Sequence, residues 1–398
     1  HDAGARAPTV LLYGHYDVQP PEPLELWESP PFIDNWGSGE AVGGNAEPVR
    51  DGALYGRGAS DNKGQLFAHL AALRGWFEVA GGPPVNLRLL IEGEEEIGSP
   101  SLGEFVATHA DELCAEWGVV SDGPMLAPGM PAVSYGLRGL AYFQLDISAA
   151  SADLHSGTHG GAVPNPATVL AEFIATLHTG DGSVNLSGFY DDVTPLKAVE
   201  REALAALEFS DDEYLKSLGA PGLAGEAGFT TLERRWARPT LEVNGIWGGY
   251  TGEGAKTVLP ACASAKLSCR LVPRQEPAAI EAALRRACAE RLPVGVRWTL
   301  RVFAGAPAVL TPTDSPGVQA AMHALRAGFG AEPAFIREGG TIPVVADFQS
   351  VLGAQPLLIG FALAEDMPHS PNEHFRLDCL YGGIRTSGDI VKALAAGA

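Results

Sequence analysis

Thr9-Val10-Leu11-Leu12-Tyr13-Gly14-His15-Tyr16-Asp17-Val18-Gln19-Pro20 decides the fold class. An apolar run the length of a buried strand, residues 9–13, stops at a glycine and opens into a turn bearing a histidine and an aspartate. The same grammar returns twice. A run at 86–91 leads into Glu92-Gly93-Glu94-Glu95-Glu96, and a shorter one at 117–120 leads into Ser121-Asp122-Gly123-Pro124. In open α/β sheets, ligands gather beyond the carboxyl ends of the strands. Three such ends carry ionisable groups here.

Helical patterns separate these runs. Leu66, Leu70, Leu73 and Phe77 recur at spacings of three and four, which predicts a helix over 62–79, ended by Gly81-Gly82-Pro83-Pro84. A second helix is predicted over 102–113. Alternating strands and helices predict an α/β fold: a mostly parallel mixed sheet with helices on both faces.

The character changes near Arg138. Strands are predicted at 142–147, 241–246, 263–271 and 296–303, and helices at 165–177 and 278–291. A polar Gly/His-rich loop is expected over 155–161, and a loop-rich stretch with helical pieces over about 195–237. This reads as a smaller α+β domain, 138–305, inserted into an α/β domain made of 1–137 and 306–398. Helices near 318–327 and 344–352, a strand at 356–361 and a closing helix at 377–394 complete the larger domain.

The chain has 398 residues, enough for two cores, with 46% hydrophobic and 19% charged residues. Its net charge of −21 repels phosphate backbones and argues against nucleic acid. The five cysteines form no C-x-x-C pair, so free thiols in a reducing, cytoplasmic setting are expected rather than disulfides or a thiolate zinc site. No apolar run is long enough to span a bilayer. The chain opens on His1-Asp2-Ala3 without methionine, so an incomplete N-terminus is expected, with room for a removed targeting segment.

His15 and Asp17, two apart after a strand, leave the backbone on one side, and the aspartate can orient a metal-binding imidazole. Asp61 precedes a helix, so helix capping competes with ligation there. Glu92, Glu94, Glu95 and Glu96 crowd like charges that a cation would relieve. Asp122 and His369 lie in turn-like segments. His155 and His159 flank a glycine in a polar loop. Arg270 and Arg337 can fork onto a substrate carboxylate or form ordinary salt bridges.

Taken in order, G-H-Y-D-V-Q-P, G-R-G-A-S-D-N-K-G, E-G-E-E-E-I-G-S, S-D-G-P, D-L-H-S-G, R-E-G-G-T-I-P and H-S-P-N-E form a specific set. Over almost its whole length the chain resembles the two-metal metallopeptidases that include carnosinase, nonspecific dipeptidase, glutamate carboxypeptidase, acetylornithine deacetylase and succinyl-diaminopimelate desuccinylase. A-K-T-V-L-P and C-R-L-V-P bring it nearest to the carnosinase and nonspecific dipeptidase branch. The resemblance implies a zinc-peptidase-like catalytic domain with an inserted lid and dimerisation domain. It implies that His15 and Asp122 hold one metal, Glu96 and His369 the other, and that Asp61 bridges them, followed by a cis peptide to Asn62. Glu95 is implied as general base, with Glu94 left as an extra acid, and Asp17 as the group orienting His15. His155 is implied to hold the carbonyl oxygen, often across a homodimer. Thr257, Arg270 and Thr341 are implied to contact the substrate and its carboxylate. The metals are expected to be two zinc ions per chain, with manganese or cobalt as alternatives. Hydrolysis of dipeptides or short peptides is the expected activity. An N-acyl amino-acid deacylase is the nearer rival, and a non-catalytic relative that binds metal or peptide the farther one. Relatives carry several dozen residues before the G-H-x-D motif, where this chain has 14 before His15. Either the gene product is longer or the sheet lacks its usual edge.

Overall fold

The structure, a computed structural model, describes residues 1–32 and 47–397. They form two compact units. One comprises His1–Gly136, Leu310–Ile336 and Ile342–Ala398; the other comprises Leu137–Val309 and Arg337–Thr341.

In the first unit, Thr9–His15 is an inner strand, one from the edge of the sheet. It pairs in parallel with Asn86–Glu92 on one side and Trp117–Val120 on the other. Gln355–Ile359 extends the parallel set beside Trp117–Val120, and Ala132–Leu137 joins it antiparallel. The expected mostly parallel mixed sheet is what forms. Val10 to Tyr13 are each no more than 3% exposed, because both faces are covered. Leu12 packs with Leu66 and Leu73 of the helix Lys63–Ala80, while the Tyr13 ring meets Phe348 of the helix Pro343–Ser350 edge-on at 5.7 Å. Successive side chains of a strand point to opposite faces, so helices lie on both. Helices Pro316–Phe329 and Leu377–Ala396 add Val318, Leu325, Ile390 and Leu394 to a core with Val10 of the strand.

The second unit holds an antiparallel sheet in the order Arg297–Ala306, Gly139–Ser148, Cys262–Leu271, Thr240–Gly248. Phe143, Leu145 and Ile147 point into a core with Leu170 and Phe173 of Pro166–Ala175 and Leu284 of Pro277–Arg291. The alternate residues Gln144 and Asp146 take polar partners, Asp146 with Ser264 and Arg301. This is the alternation of a sheet with one buried face. Arg337–Thr341 belongs with this unit: Thr341 donates to the Arg138 carbonyl at 2.6 Å and accepts from Arg270 at 2.9 Å.

Several expectations need correction. The helix predicted over 102–113 breaks at His109 into Leu102–Thr108 and Ala110–Leu113. The loop expected over 155–161 contains a two-residue strand, Leu154–His155, paired with Val258–Leu259, and a helical turn, Ser156–His159. Ala132–Leu137 is a wholly buried strand whose apolar run is interrupted by Ser134 and Gly136. Val49–Arg50, Ala53–Tyr55 and His374–Arg376 form a small sheet of strands too short to leave a periodic signal. Among the described residues, no helix is long and apolar enough to cross a membrane.

Gly64, in the first turn of the helix Lys63–Ala80, meets its surroundings without room for a side chain. A Cβ there would lie 2.0 Å from the Ala59 carbonyl and 2.6 Å from the Phe375 ring. Gly64→Ala should therefore cost about 1–3 kcal/mol through overpacking, read as a lower urea midpoint. An unchanged midpoint would show that this contact does not constrain the helix start.

Candidate metal centre

His15 is the last residue of its strand and is fully buried. Its Nδ1 faces Asp17, 3.1 Å from the carbonyl and 3.2 Å from Oδ1. With that nitrogen engaged, Nε2 points at Asp61 Oδ1, 3.2 Å away, and lies 3.8 Å from Asp122 Oδ2. The other oxygen of Asp61 faces away from His15 and lies 2.9 Å from His369 Nε2. That same nitrogen is 3.3 Å from Glu96 Oε2. Donor atoms of His15, Asp61 and Asp122 all lie within 4.8 Å of one another, and so do those of Asp61, Glu96 and His369. The two groups share Asp61, one oxygen to each side.

Neighbours hold the carboxylates in place. Asn62 Nδ2 donates to Asp122 Oδ1 at 3.0 Å and to the Ser121 carbonyl at 2.6 Å, which turns Asp122 Oδ2 toward His15. Gln19 Nε2 donates to Glu96 Oε2 at 2.8 Å, and Asp17 Oδ2 accepts from the Glu96 amide at 3.0 Å. Glu96 Oε1 is buried with no hydrogen-bond donor among the described residues. A buried carboxylate oxygen needs a proton, a donor or a cation. Two imidazoles, three carboxylates and no thiolate suit a pair of divalent cations such as zinc, manganese or cobalt.

The charges record the same tension. Burial pushes the His15 imidazole down, but hydrogen bonds to Asp122 and Asp61 and their charges outweigh it, raising it to about 11. Burial pushes Asp61 up, yet the two imidazoles hold it below the ordinary carboxylate range. Burial raises Glu95 to about 7, reinforced by the charge of Asp122 and opposed by His15. Protons on the imidazoles thus stand where cations would relieve the crowded carboxylates.

The structure brings His15, Asp17, Asp61, Glu96, Asp122 and His369 together. Glu95 is half-buried in the 3-10 turn Glu95–Ile97 and outside both donor groups. Asp61 is not the helix cap: Asn62 occupies that position, after a cis Asp61–Asn62 peptide. The acidic cluster divides. Glu92 accepts from Tyr13 and Ser99, and Glu94 accepts from the Ser101 amide, so neither is among the six. In the second unit, His155 Nδ1 accepts from the Gly157 amide, which leaves the proton of a neutral ring on Nε2. Thr257 lies next to its strand partner, its carbonyl accepting from the Ser156 amide. Arg270 bonds Thr341, whereas Arg337 pairs with Glu200, the ordinary salt bridge rather than a free fork. Gln19 and Asn62 were missed as functional residues although both sit inside the quoted motifs. Amide side chains carry no signal until their partners are known.

The family model for peptidase family M20/M25/M40 matches residues 11–393. The Cys-Gly metallodipeptidase dug1 of Schizosaccharomyces pombe is 32% identical over 396 residues, covering 98% of this chain and 80% of that protein. The Beta-Ala-His dipeptidase of Homo sapiens is 32% identical over 370 residues, covering 92% and 70%. Among solved structures, the M20 family metallo-carboxypeptidase Sso-CP2 from Sulfolobus solfataricus superposes with a TM-score of 0.86 at 32% identity, covering 99% of this chain and 86% of that one. The chain belongs to peptidase family M20/M25/M40.

The raised His15 has a measurable consequence. Hydrogen bonds and charge from Asp122 and Asp61 raise its imidazole from the ordinary 6.5 to about 11 when no cation neutralises them. Its contribution to stability is complete below 6.5 and is withdrawn as pH rises toward 11. Metal-free protein should therefore lose stability between pH 7 and 9, and His15→Gln should flatten that decline. Equal slopes in the two proteins would remove His15 from the network.

Proposed function

We propose that this chain is a metallodipeptidase that hydrolyses the peptide bond of dipeptides and very short peptides, using two divalent cations, zinc in the first instance. One observation carries the reading: the two oxygens of Asp61 are divided between two His/carboxylate groups, with Glu95 beside them and outside both. Relatives named as dipeptidases, similar over nearly the whole chain, support it.

His15, Asp122, Glu96, His369 and the shared Asp61 would hold the two cations, which when bound would supply Lewis acidity toward the scissile carbonyl and the attacking water. The protein groups then divide the remaining work. Glu95, half-buried beside the two donor groups and outside both, takes the water proton and returns it to the leaving amine. Asp17 keeps the His15 ring turned so that Nε2 is the ligating nitrogen. Arg270, steadied by Thr341, receives the substrate carboxylate, and Thr257 lines the substrate path. His155 presents Nε2–H to the carbonyl oxygen as charge develops there. The second unit acts as lid and dimerisation domain, with His155 supplied across a homodimer.

Turnover of a dipeptide panel with added Zn²⁺, Mn²⁺ or Co²⁺, beside N-acetyl amino acids, tests the reading. Dipeptides should be cleaved; activity on the N-acetyl compounds alone would make the chain a deacylase. Glu95→Gln should keep two metals per chain and lose at least about 100-fold in kcat, as removal of a general base does. If metal leaves with the activity, Glu95 is a ligand. Mixed His155→Ala and Glu95→Gln subunits should regain part of the activity, since one site per hybrid dimer is intact. No recovery despite subunit exchange would end the trans arrangement.

A further inference from the structure

Glu373 lies four residues after His369, in the H-S-P-N-E motif, and has no part in the scheme above. It is fully buried. Its two oxygens accept from four donors. Oε2 takes Arg57 Nη1 at 2.8 Å and the Gly58 amide at 2.9 Å. Oε1 takes the Ser60 amide at 2.9 Å and the Asp61 amide at 3.0 Å. Its own carbonyl accepts from the Gly56 amide at 2.9 Å. The loop from Gly56 to Asp61 is thus wrapped around one carboxylate, in the way successive backbone amides form an anion-binding nest. Gly58 permits the wrap: it has φ +81°, and a Cβ would lie 2.5 Å from Val18 Cγ1. The last amide in the nest belongs to the residue whose side chain faces both imidazoles.

We propose that Glu373 is a positioning residue for the metal pair: its charge fixes the Asp61 backbone against the loop carrying His369, so that Asp61 can reach both sides at once. The loop is tied at its other end too. His369 has φ 62° and Asn372 φ 64°, conformations uncommon for residues with side chains, and Asn372 bonds the Glu28 amide at 2.8 Å and the Leu26 carbonyl at 2.9 Å. A counter-ion for Arg57 would be the plainer role. Yet three of the four donors are main-chain amides leading to Asp61, and only one is the guanidinium. A carboxylate is required because each oxygen must accept twice. Glutamine keeps only one accepting oxygen, and its NH2 group, which only donates, would confront either two amides or Arg57 and an amide.

This inference rests on the two-metal reading, and the test separates them. The full-length Glu373→Gln protein and the wild type are compared by chelator competition for Zn²⁺, by the visible spectrum after loading with Co²⁺, and by thermal unfolding of the metal-free forms. The affinity of at least one site should fall about 10- to 100-fold, the loss typical of a group that orients a ligand. The Co²⁺ bands should shift as well. A variant that melts earlier but binds both metals with wild-type affinity and spectrum would make Glu373 purely structural and overturn the proposal. Wild-type protein that takes up fewer than two metals would overturn both readings. Hydrogen exchange in metal-free wild type decides the matter even if the variant fails to fold. The amides of Gly58, Ser60 and Asp61 should already be protected without metal, and exchange at free-loop rates would show that Glu373 does not hold them.

Discussion

Asp61 must present one carboxylate oxygen to each of two imidazoles, and the loops around it are arranged to meet that demand. His15 comes from a strand end, Glu96 from a 3-10 turn, Asp122 from a second strand end and His369 from a loop near the end of the chain. Each is useful only at the reach of a hydrogen bond or a coordination bond from the others. Gathering these acids costs electrostatic energy, and the shifts of His15, Glu95 and Asp61 are its trace. Bound cations would offset that cost, so loading and local rigidity are coupled through the same groups.

The sheet makes the arrangement possible. Parallel strands end on one side, so the turns after Thr9–His15 and Trp117–Val120 arrive together, and His15 pairs in register with Glu92. The helix Lys63–Ala80 starts two residues after Asp61, past its cap Asn62, and packs close to the strand through Gly14, where a Cβ would sit 2.8 Å from Leu66. Helix, strand and loop therefore share small tolerances. A displacement in any of them reaches Asp61.

Polar residues around the donors extend that logic outward. Asp17 turns His15, Asn62 turns Asp122, and Gln19 and the Asp17 carboxylate steady Glu96. Each leaves one specific atom of a donor free. This is how a set of flexible acids becomes a geometry with few rotamers to lose on binding.

Much of this was legible in the chain. The strands 9–13 and 117–120 announced themselves because burial on both faces demands nearly continuous apolar runs, the edge strand 86–91 by an apolar run of its own although Leu89 and Ile91 are exposed, and the turns after them announced the chemistry. Helix Lys63–Ala80 was legible from a one-face pattern that depends only on local spacing. Ala132–Leu137 and the short strands Ala53–Tyr55 and His374–Arg376 were not, since their existence depends on partners far away in sequence. The same division runs through the site. Sequence by itself determined which donors are present, in what order, and that His15, Glu96 and Asp122 follow strand ends. Only the tertiary structure decided that Glu92 accepts from Tyr13 and Ser99, that Arg337 is tied to Glu200, and that Glu373 threads its oxygens among the amides leading to Asp61. Residue type and periodicity are local properties, whereas the direction in which a carboxylate points is set by what packs against it.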